Sequence, residues 1–482
     1  FFERMASNYG TIPQKIFETS SFWKSTAARG EKQPESFRDV FFGIIFVVQL
    51  IISIVYSIVA NEAGITFFQD FSTRITFSQD FSTSDIGVDN VMMMVIVNSM
   101  LAFLITTFFL RLSVDQSSAC NLISSGLIFS RYVAFGFLVY MISIGGEYYV
   151  SFGVFVFVLA LVYSCQSSSG IPFAASNLVT ATVAVKSNSG LFLVSFFSII
   201  VAFLWTLSWI CNFESIMYNS GGDDMMGIVV FLLILSFYWT HQVILNTVYV
   251  TVVGTVGSWW FDPISANSCC SAAVCDSCLR ASTFSFGSIC FGSLLEAIIR
   301  VCRSMADNDD EDGALLACLF QCILLCLEDI IDYFNKWAYV YVGLYGYSYL
   351  EAGKRVLQLF TSRGCTTIIT NNLVGWALIL ITLEIALLTG VSGYLINCFL
   401  LIVSYNFGHN FGGCTDEWAV FCTGFIFGAI GSFVVFNTVV ESAVNTIIVC
   451  FAESPAEFQS NHPKLCNNMR EAWGQMYPDD FS

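Results

Sequence analysis

One apolar stretch of the sequence carries an unusual set of polar and aromatic side chains. Trp239, Gln242, Asn246 and Tyr249 follow one another at intervals of three or four residues. On an α-helix these intervals place all four side chains on or near one face. Two amide groups between two aromatic rings can hydrogen-bond a polar ligand and hold a cation against a ring. The spacing therefore indicates a binding face for a small polar or cationic molecule.

Three carboxylates lie inside apolar segments, where a charge is expensive. Glu296, Glu384 and Glu441 each fall within a predicted membrane span, and a charge at mid-span costs about 2.5 to 3.5 kcal/mol. Such residues usually face a bundle interior or a water-filled cavity. Each carboxylate either neutralises a bound organic cation or is a capped or snorkelling structural group. Both interpretations stay open, and all three residues are candidate binding residues.

Aromatic side chains are the second requirement for an organic-cation site. A quaternary ammonium has no N–H to donate, so it is held by cation–π contacts worth about 0.5 to 2 kcal/mol per ring. We expect Trp239 and Tyr249, together with Trp205 and Trp209 of the preceding span, to supply such rings. The pair Trp259–Trp260 stands at a span end and is predicted to anchor that end at the membrane interface.

The 18 cysteines suggest a metal site less strongly than their number implies. Most stand singly in apolar segments, where a thiol behaves as a small hydrophobe. Cys269, Cys270, Cys275 and Cys278 form the one cluster with metal-like spacing, but the clear fourth pair of a zinc site is missing. Unmodified thiols, reversible acylation at the inner membrane surface and zinc are the three alternatives, in that order. No metal site is predicted.

The composition fixes the class of protein. Of 482 residues, 56% are hydrophobic and 11% are charged, whereas globular domains are about 25% charged. The chain is therefore predicted to be an all-α, polytopic integral membrane protein. Its net charge of −17 argues against nucleic acid, and three histidines leave little room for a histidine-ligated metal. Because neither a Gly-rich phosphate loop nor a catalytic set stands out, we expect neither an enzyme nor a bound cofactor.

The apolar runs predict about ten transmembrane helices in a single bundle, each long enough for a hydrocarbon core that needs about 20 residues. The predicted spans are near 39–60, 91–112, 122–144, 148–165, 190–212, 227–252, 283–302, 314–332, 373–403 and 418–450. Residues 1–38 and 453–482 are predicted to be cytosolic tails, because basic residues concentrate on the cytosolic side. This topology depends on whether 314–332 crosses the membrane.

Three further features bear on packing. Residues 167–189 carry an apolar stripe and are predicted to lie along the inner membrane interface. The ninth span is longer than a straight crossing needs, so it tilts or breaks around Gly390 or Gly393. Gly424 and Gly428 form a close-packing motif in the tenth span.

Several short motifs together resemble the choline transporter-like family. Taken singly they are weak, but their combination and order are specific, and the resemblance extends over residues 36–460. The compact first loop makes the chain look more like the fungal and protist branch of the family. The motifs are Tyr238–Asn246, Ser258–Phe261, Phe286–Ser293, Cys326–Glu328, Tyr333–Asn335, Ala338–Val340, Tyr345–Leu350, Val444–Thr446 and Cys450–Glu453.

The resemblance implies a carrier for choline or a related organic cation or amino-alcohol, working by alternating access within a lipid bilayer. In one respect the chain departs from the family, because Asn445 stands where the last span often has an aspartate. Glu441, one turn away, is the carboxylate that would replace it. The alternative is a non-transporting membrane subunit that packs with protein partners in a larger membrane assembly. The host membrane, plasma membrane or organelle, stays open.

Overall fold

The computed structural model describes residues 33–59, 88–219, 226–306, 314–363, 373–407 and 417–477. Helices are the only regular structure in these ranges, which confirms the all-α class. The α-helices are α1 Val40–Val59, α2 Val88–Leu112, α3 Gln116–Ile144, α4 Glu147–Ser167, α5 Ile171–Ser187, α6 Gly190–Asn219, α7 Met226–Phe261, α8 Ala272–Ser282, α9 Phe286–Ala306, α10 Ala314–Tyr345, α11 Tyr349–Arg363, α12 Leu373–Phe407, α13 Glu417–Phe433, α14 Glu441–Glu453, α15 Pro455–Asn461 and α16 Pro463–Met476.

The apolar helices confirm a multi-pass membrane protein. Within the described ranges, eight helices are long and apolar enough to cross a membrane, or up to nine if the bent pair α8–α9 is one span. Each of the ten predicted spans lies on a helix. The predicted eighth span lies on α10, whose described part carries Glu328, Asp329, Asp332 and Lys336. Its crossing, the two cytosolic tails and the full set of ten spans stay predictions, and residues 1–32 lie outside the described ranges.

Local sequence explains where several helices begin and end. The carboxylate of Asp115 accepts a hydrogen bond from the backbone N–H of Ser118 and so caps α3. Gly145 and Gly146, with φ of +79° and +98°, form the turn between α3 and α4, a backbone region that disfavours residues with a Cβ. Gly346, with φ of +67°, ends α10 in the same way.

Helix α7 is the centre of what we call the core group, which comprises α1, α5 to α11 and α14 to α16. It packs against α6, α8, α9, α10 and α14. Helix α1 lies along α9 and α6, and its other face carries exposed aliphatic side chains suited to lipid. This arrangement brings the face of α7 predicted to bind ligand against α9, α10 and α14.

Helix α5 is buried inside the protein, so the prediction of an interfacial segment at 167–189 is wrong. Phe173, Ala174, Leu178, Ala181 and Val185 are at most 2% exposed. Helices α3, α14 and α16 pack around α5. The small residues that look like a weak apolar stripe in the sequence let these neighbours approach on several sides.

The C-terminal helices α15 and α16 dock onto the end of α7. Trp260 stacks on Phe458 with ring centroids 4.0 Å apart, and Trp259 stacks on His462 at the same distance. The indole N–H of Trp473 donates to Asn177 on α5 at 3.2 Å. Trp259 and Trp260 are at most 2% exposed, so the prediction that they anchor a span at the lipid interface is wrong. Their rings instead form the surface on which the C-terminal helices pack.

Helices α2, α3, α4, α12 and α13 form a second set, which we call the lateral group. Its centre is glycine-rich: a Cβ added to Gly424 or Gly428 would lie within 3.0 Å of backbone atoms on α12. This confirms the predicted close packing. Helix α12 runs unbroken through Gly390 and Gly393, so the predicted break is not there.

The irregularity lies instead between α13 and α14. Residues Val434–Val440 form a π-helical segment that joins the lateral group to the core group within one continuous helix. Its Asn437 donates to Thr382 on α12 at 2.7 Å. π-Helical segments are rare and often accompany functional sites.

Candidate functional site

The four predicted residues of α7 lie at the contacts of α7 with α9, α10 and α14. Trp239 and Gln242 are 4% and 8% exposed, whereas Asn246 and Tyr249 are half-buried. Each side chain hydrogen-bonds a residue of another helix. The four side chains therefore share one face of α7, and in this conformation that face is closed against its neighbours.

Glu296 on α9 is the most heavily engaged acid of the site. The amide of Gln242 donates to its Oε1 at 2.6 Å, and Arg300, one turn further along α9, donates to the same atom at 2.6 Å. Asn335 on α10 donates to Oε2 at 3.4 Å. A carboxylate that receives hydrogen bonds from α7, α9 and α10 fixes the relative positions of all three helices.

Asn246 extends the network one turn further along α7. Its amide donates to Ser293 at 3.0 Å and to the hydroxyl of Tyr339 at 3.4 Å. Tyr339 in turn donates to the backbone carbonyl of Ile289. A Cβ added at Gly292 would overlap Tyr339 and Tyr349. Only glycine at position 292 allows these two rings to pack so close to the backbone of α9.

Tyr249 and Glu441 meet at the α14 side of the site. The hydroxyl of Tyr249 donates to the backbone carbonyl of Lys336 at 2.8 Å and accepts from Asn445 at 3.0 Å. The ammonium of Lys336 lies 3.4 Å from Glu441. The charge of Glu441 is thus matched by a cation of the protein itself.

Within the described part of the chain, no ring contact joins any two of the predicted cage residues Trp205, Trp209, Trp239 and Tyr249. Trp239 donates its indole N–H to the carbonyl of Cys290, and the ring of Phe46 packs edge-on against it. Trp209 donates to Leu233 and stacks on Phe213. The rings of Tyr249, Tyr339 and Tyr349 instead follow one another, with centroids 6.1 and 5.9 Å apart, beside the network of Glu296.

Glu384 is not brought to this site. It lies on α12, which packs mainly against α13, α2 and α3. The side chain is half-buried. The structure therefore unites six of the seven candidate residues, Trp239, Gln242, Asn246, Tyr249, Glu296 and Glu441, and leaves Glu384 in the lateral group.

Several residues of the network lie in the motifs of the family resemblance but were not predicted to bind ligand. Ser293, Asn335, Tyr339 and Tyr349 each bond a predicted residue or one of its partners. A signal for two of them was present, because Asn335 and Tyr339 are four residues apart on α10 and so share a face. Tyr349 lies beyond the end of α10, and no helical spacing connects it to the others.

The described residues also form a small pocket that is open to its surroundings, away from the α7 face. It is lined by residues of α2, α12 and α13, among them Asn98, Gly393 and Val420. This pocket is in the lateral group, whereas the polar network is in the core group.

Comparison with known proteins finds a family model and several relatives that match this chain. A family model described as plasma-membrane choline transporter matches residues 150–456, a range that includes all seven candidate residues. The chain is 30% identical over 340 residues to a CTL-like protein of Dictyostelium discoideum, covering 68% of this chain and 58% of that protein.

Fungal proteins named PNS1 are similar as well. The chain is 30% identical over 325 residues to the PNS1 protein of Mycosarcoma maydis, covering 64% of this chain and 60% of that protein. With the PNS1 protein of Cryptococcus neoformans var. neoformans serotype D, it shares 32% identity over 261 residues, covering 52% and 45% respectively. The matched region spans about three fifths or less of the length of these relatives.

Proposed function

Because this chain belongs to the choline transporter-like family, we propose that it carries choline or a related amino-alcohol across its membrane. The observation that carries the proposal is the polar network of Gln242, Glu296 and Asn335 between three helices at the centre of the bundle. Buried networks of this kind are costly in a membrane protein and mark substrate or ion pathways.

The side chains around Glu296 have the chemistry that choline needs. The carboxylate supplies a negative charge, and Tyr339 and Tyr349 supply two ring faces near it. Each ring contributes about 0.5 to 2 kcal/mol to binding a quaternary ammonium. The amides of Gln242 and Asn246 can hydrogen-bond the hydroxyl of the substrate. We propose that the substrate replaces Gln242 or Arg300 as the partner of Glu296.

Alternating access requires that the network open. In the described conformation Trp239 and Gln242 are almost fully buried, so this conformation corresponds to a closed state of the carrier. Substrate binding supplies the interactions that the network loses when α7 separates from α9 and α10, and it thereby favours the open state.

The second candidate function is a non-transporting membrane subunit with protein partners in a larger assembly. The observation that favours it is the satisfied network itself. Lys336 already neutralises Glu441 at 3.4 Å, and Arg300 already lies 2.6 Å from Glu296. A site whose acids are matched by the protein's own cations has no need of a cationic ligand.

Uptake of labelled choline into liposomes that contain the purified protein separates the two functions. For a carrier we expect saturable uptake that falls at least about tenfold, equivalent to 1.4 kcal/mol, in Glu296→Gln. Glu384→Gln is the matched control, because it removes an acid that the structure places outside the network. Trp239→Ala tests whether the indole ring that packs on Phe46 contributes to choline uptake.

The outcomes are distinct. Uptake that falls in Glu296→Gln and stays unchanged in Glu384→Gln supports the proposed site. Uptake that falls only in Glu384→Gln moves the site to the lateral group. No uptake of choline or ethanolamine above empty liposomes, from protein that elutes as a folded species, overturns transport and favours the subunit function.

A further inference from the structure

Three exposed cysteines lie close together at one end of α7. Cys269 and Cys270 are in the loop after α7, and Cys275 is on α8; all three are exposed, whereas Cys278 on the same helix is half-buried. Cys269 and Cys270 are neighbours in the loop, and Cys275, in the first turn of α8, is near enough to interact electrostatically with Cys270. The sequence cluster is thus a cluster in space.

The protein holds this cluster in a fixed position. The hydroxyl of Ser271 accepts from the N–H of Val274, which caps α8, and donates to Asn188 at 3.0 Å. A Cβ at Gly190 would overlap the carbonyl of Cys269, so the loop lies directly against the first residue of α6. The cysteines therefore belong to a packed connection rather than to a free loop.

The first turns of α6 locate the cluster relative to the bilayer. Helix α6 is a candidate span from Gly190 onward, and Leu193 and Phe197 on it are 60% and 66% exposed, as lipid-facing residues are. Leu193 is three residues beyond Gly190, which is about 4.5 Å along the helix. Cys269, packed on Gly190, thus lies beside the first residue of this candidate span.

Two further apolar side chains are exposed on the same connection. Ile264 is 92% exposed in the loop, and Leu279 is 61% exposed on α8. Exposed apolar groups beside a span end are stable where they enter the boundary between lipid headgroups and acyl chains. The cysteine cluster and these two residues therefore share one membrane-facing edge.

Basic residues surround this end of the bundle. Arg280 is on α8 itself, and its guanidinium lies 6.0 Å from the ring centroid of Phe284. The backbone N–H of Arg38 donates to the carbonyl of Phe284. Lys186 is two residues before the Asn188 that holds Ser271. Basic residues around span ends are typical of the cytosolic side, where acyl thioesters of coenzyme A are found.

The structure also disfavours a metal. Among the described residues, no group of three or more His, Cys, Asp or Glu side chains is arranged to hold a metal ion.

We propose that Cys269, Cys270 and Cys275 form a site of S-acylation by long-chain fatty acyl groups, which fix the α7–α8 connection to the membrane. The cysteine sulfur attacks the carbonyl carbon of an acyl thioester such as acyl-coenzyme A. A new C–S bond forms as the C–S bond of the donor breaks. The donor leaves as its free thiol with the proton of the cysteine, so no oxidant or reductant is needed.

Acyl exchange on the full chain, expressed in a eukaryotic cell, tests the proposal. Free thiols are blocked with maleimide, thioesters are cleaved with hydroxylamine, and the newly exposed thiols are tagged with a polyethylene-glycol maleimide that shifts the protein on a gel. We expect hydroxylamine-dependent tags, at most one for each cysteine of the cluster. These tags disappear in the variant that combines Cys269→Ser, Cys270→Ser and Cys275→Ser.

Cys422→Ser is the matched control, because Cys422 is also exposed but lies within the span formed by α13. It should keep every tag. Single serine variants, checked for a monodisperse elution profile, repeat the measurement if the triple variant does not fold. No hydroxylamine-dependent tag in the wild-type chain, or tags that persist in the triple variant, overturns the proposal. Tags released by a thiol reductant instead of hydroxylamine indicate a disulfide and also overturn it.

Discussion

The core group and the lateral group bury their polar residues in different ways. In the core group, Gln242, Glu296 and Asn335 hydrogen-bond one another across three helices. In the lateral group, Asn98 is 1% exposed, and its Oδ1 has no hydrogen-bond partner among the described residues. That oxygen lies against Gly393. At these two places, the core group thus depends on hydrogen-bonding partners and the lateral group on the absence of side-chain volume.

The difference indicates which kind of substitution destabilises each of these two places. A buried network is destabilised by the loss of a partner, because the remaining groups stay buried without hydrogen bonds. Glycine packing in a membrane depends on close approach of the helices, so it is destabilised by added volume. The loss of a polar partner is therefore tested at Glu296 in the core group, and added volume is tested at Gly428 in the lateral group.

The largest effect is expected for Glu296→Leu. The substitution leaves Arg300, Gln242 and Asn335 without their shared acceptor, and removing one member of a buried pair costs about 3 to 5 kcal/mol. We expect the lower end of that range, because Arg300 is 35% exposed and also lies 3.8 Å from Glu328. Thermal unfolding in detergent measures the loss. Glu384→Leu is the control, and an equal loss there would contradict the comparison.

The next effect tests added volume in the lateral group. A Cβ at Gly428 would meet Thr389 and Ala386 at 2.8 and 2.9 Å, whereas a Cβ at Gly431 meets nothing within 4 Å. We expect Gly428→Ala to lower the unfolding free energy by about 1 to 3 kcal/mol. Gly431→Ala should raise it by up to about 1 kcal/mol, because alanine favours the helix. Changes of the same sign in both variants would refute the packing argument.

A fall in pH should weaken the docking of α16 at one end of the core group and leave the stability of the lateral group unchanged. Burial lowers the pKa of His462 below its ordinary value of about 6.5. A lowered pKa means that the neutral ring favours the folded state, so this stability is present above about pH 6.5 and is lost as the pH falls through the folded pKa. The described lateral helices contain no histidine.

Hydrogen exchange of α16, corrected for the intrinsic effect of pH, measures this loosening. We expect protection of α16 to fall below about pH 6.5, while α13 changes little. His462→Gln should lower the protection of α16 at neutral pH and remove its pH dependence. Protection that stays equal on both sides of that pH would show that the ring of His462 does not control docking.

The smallest effects are expected for ion pairs. Lys336 and Glu441 are 23% and 25% exposed and join two helices of the core group, whereas Arg355 and Glu351 are 45% and 41% exposed on one helix. Double-mutant cycles should give a coupling of about 1 kcal/mol for the first pair and about 0.3 to 0.5 kcal/mol for the second. A larger coupling for the second pair would mean that an ion pair between two helices of the core group is no stronger than an exposed pair along one helix.

Much of this architecture could be predicted from the sequence. Apolar runs located the helices, because a span needs about 20 apolar residues and few charges. The spacing of Trp239, Gln242, Asn246 and Tyr249 located one face of α7, because helical periodicity is a local property. The same reasoning found the contact of Gly424 and Gly428 with α12.

The features that were not predicted depend on contacts between segments that are far apart in the sequence. The spacing of residues within one segment carries no information about such contacts. Trp259 and Trp260 look like interface anchors until α15 and α16 cover them, about 200 residues later in the chain. Glu384 resembles Glu296 in the sequence, and only the tertiary arrangement separates them. Tyr349 joins the site from beyond a turn at Gly346, so no periodic pattern connects it to α7.

The π-helical segment Val434–Val440 makes the junction between the two groups wider in its helical turn than the α-helices on either side. A π turn holds one residue more than an α turn, so the helix contains one extra residue at this point. If the wider turn moves along the helix by one position, one residue turns by about 100° and advances about 1.5 Å while the chain stays hydrogen-bonded. Such a shift reorients only the residue that the wider turn passes and leaves the helices on either side in place, and Glu441 is the first residue beyond this segment.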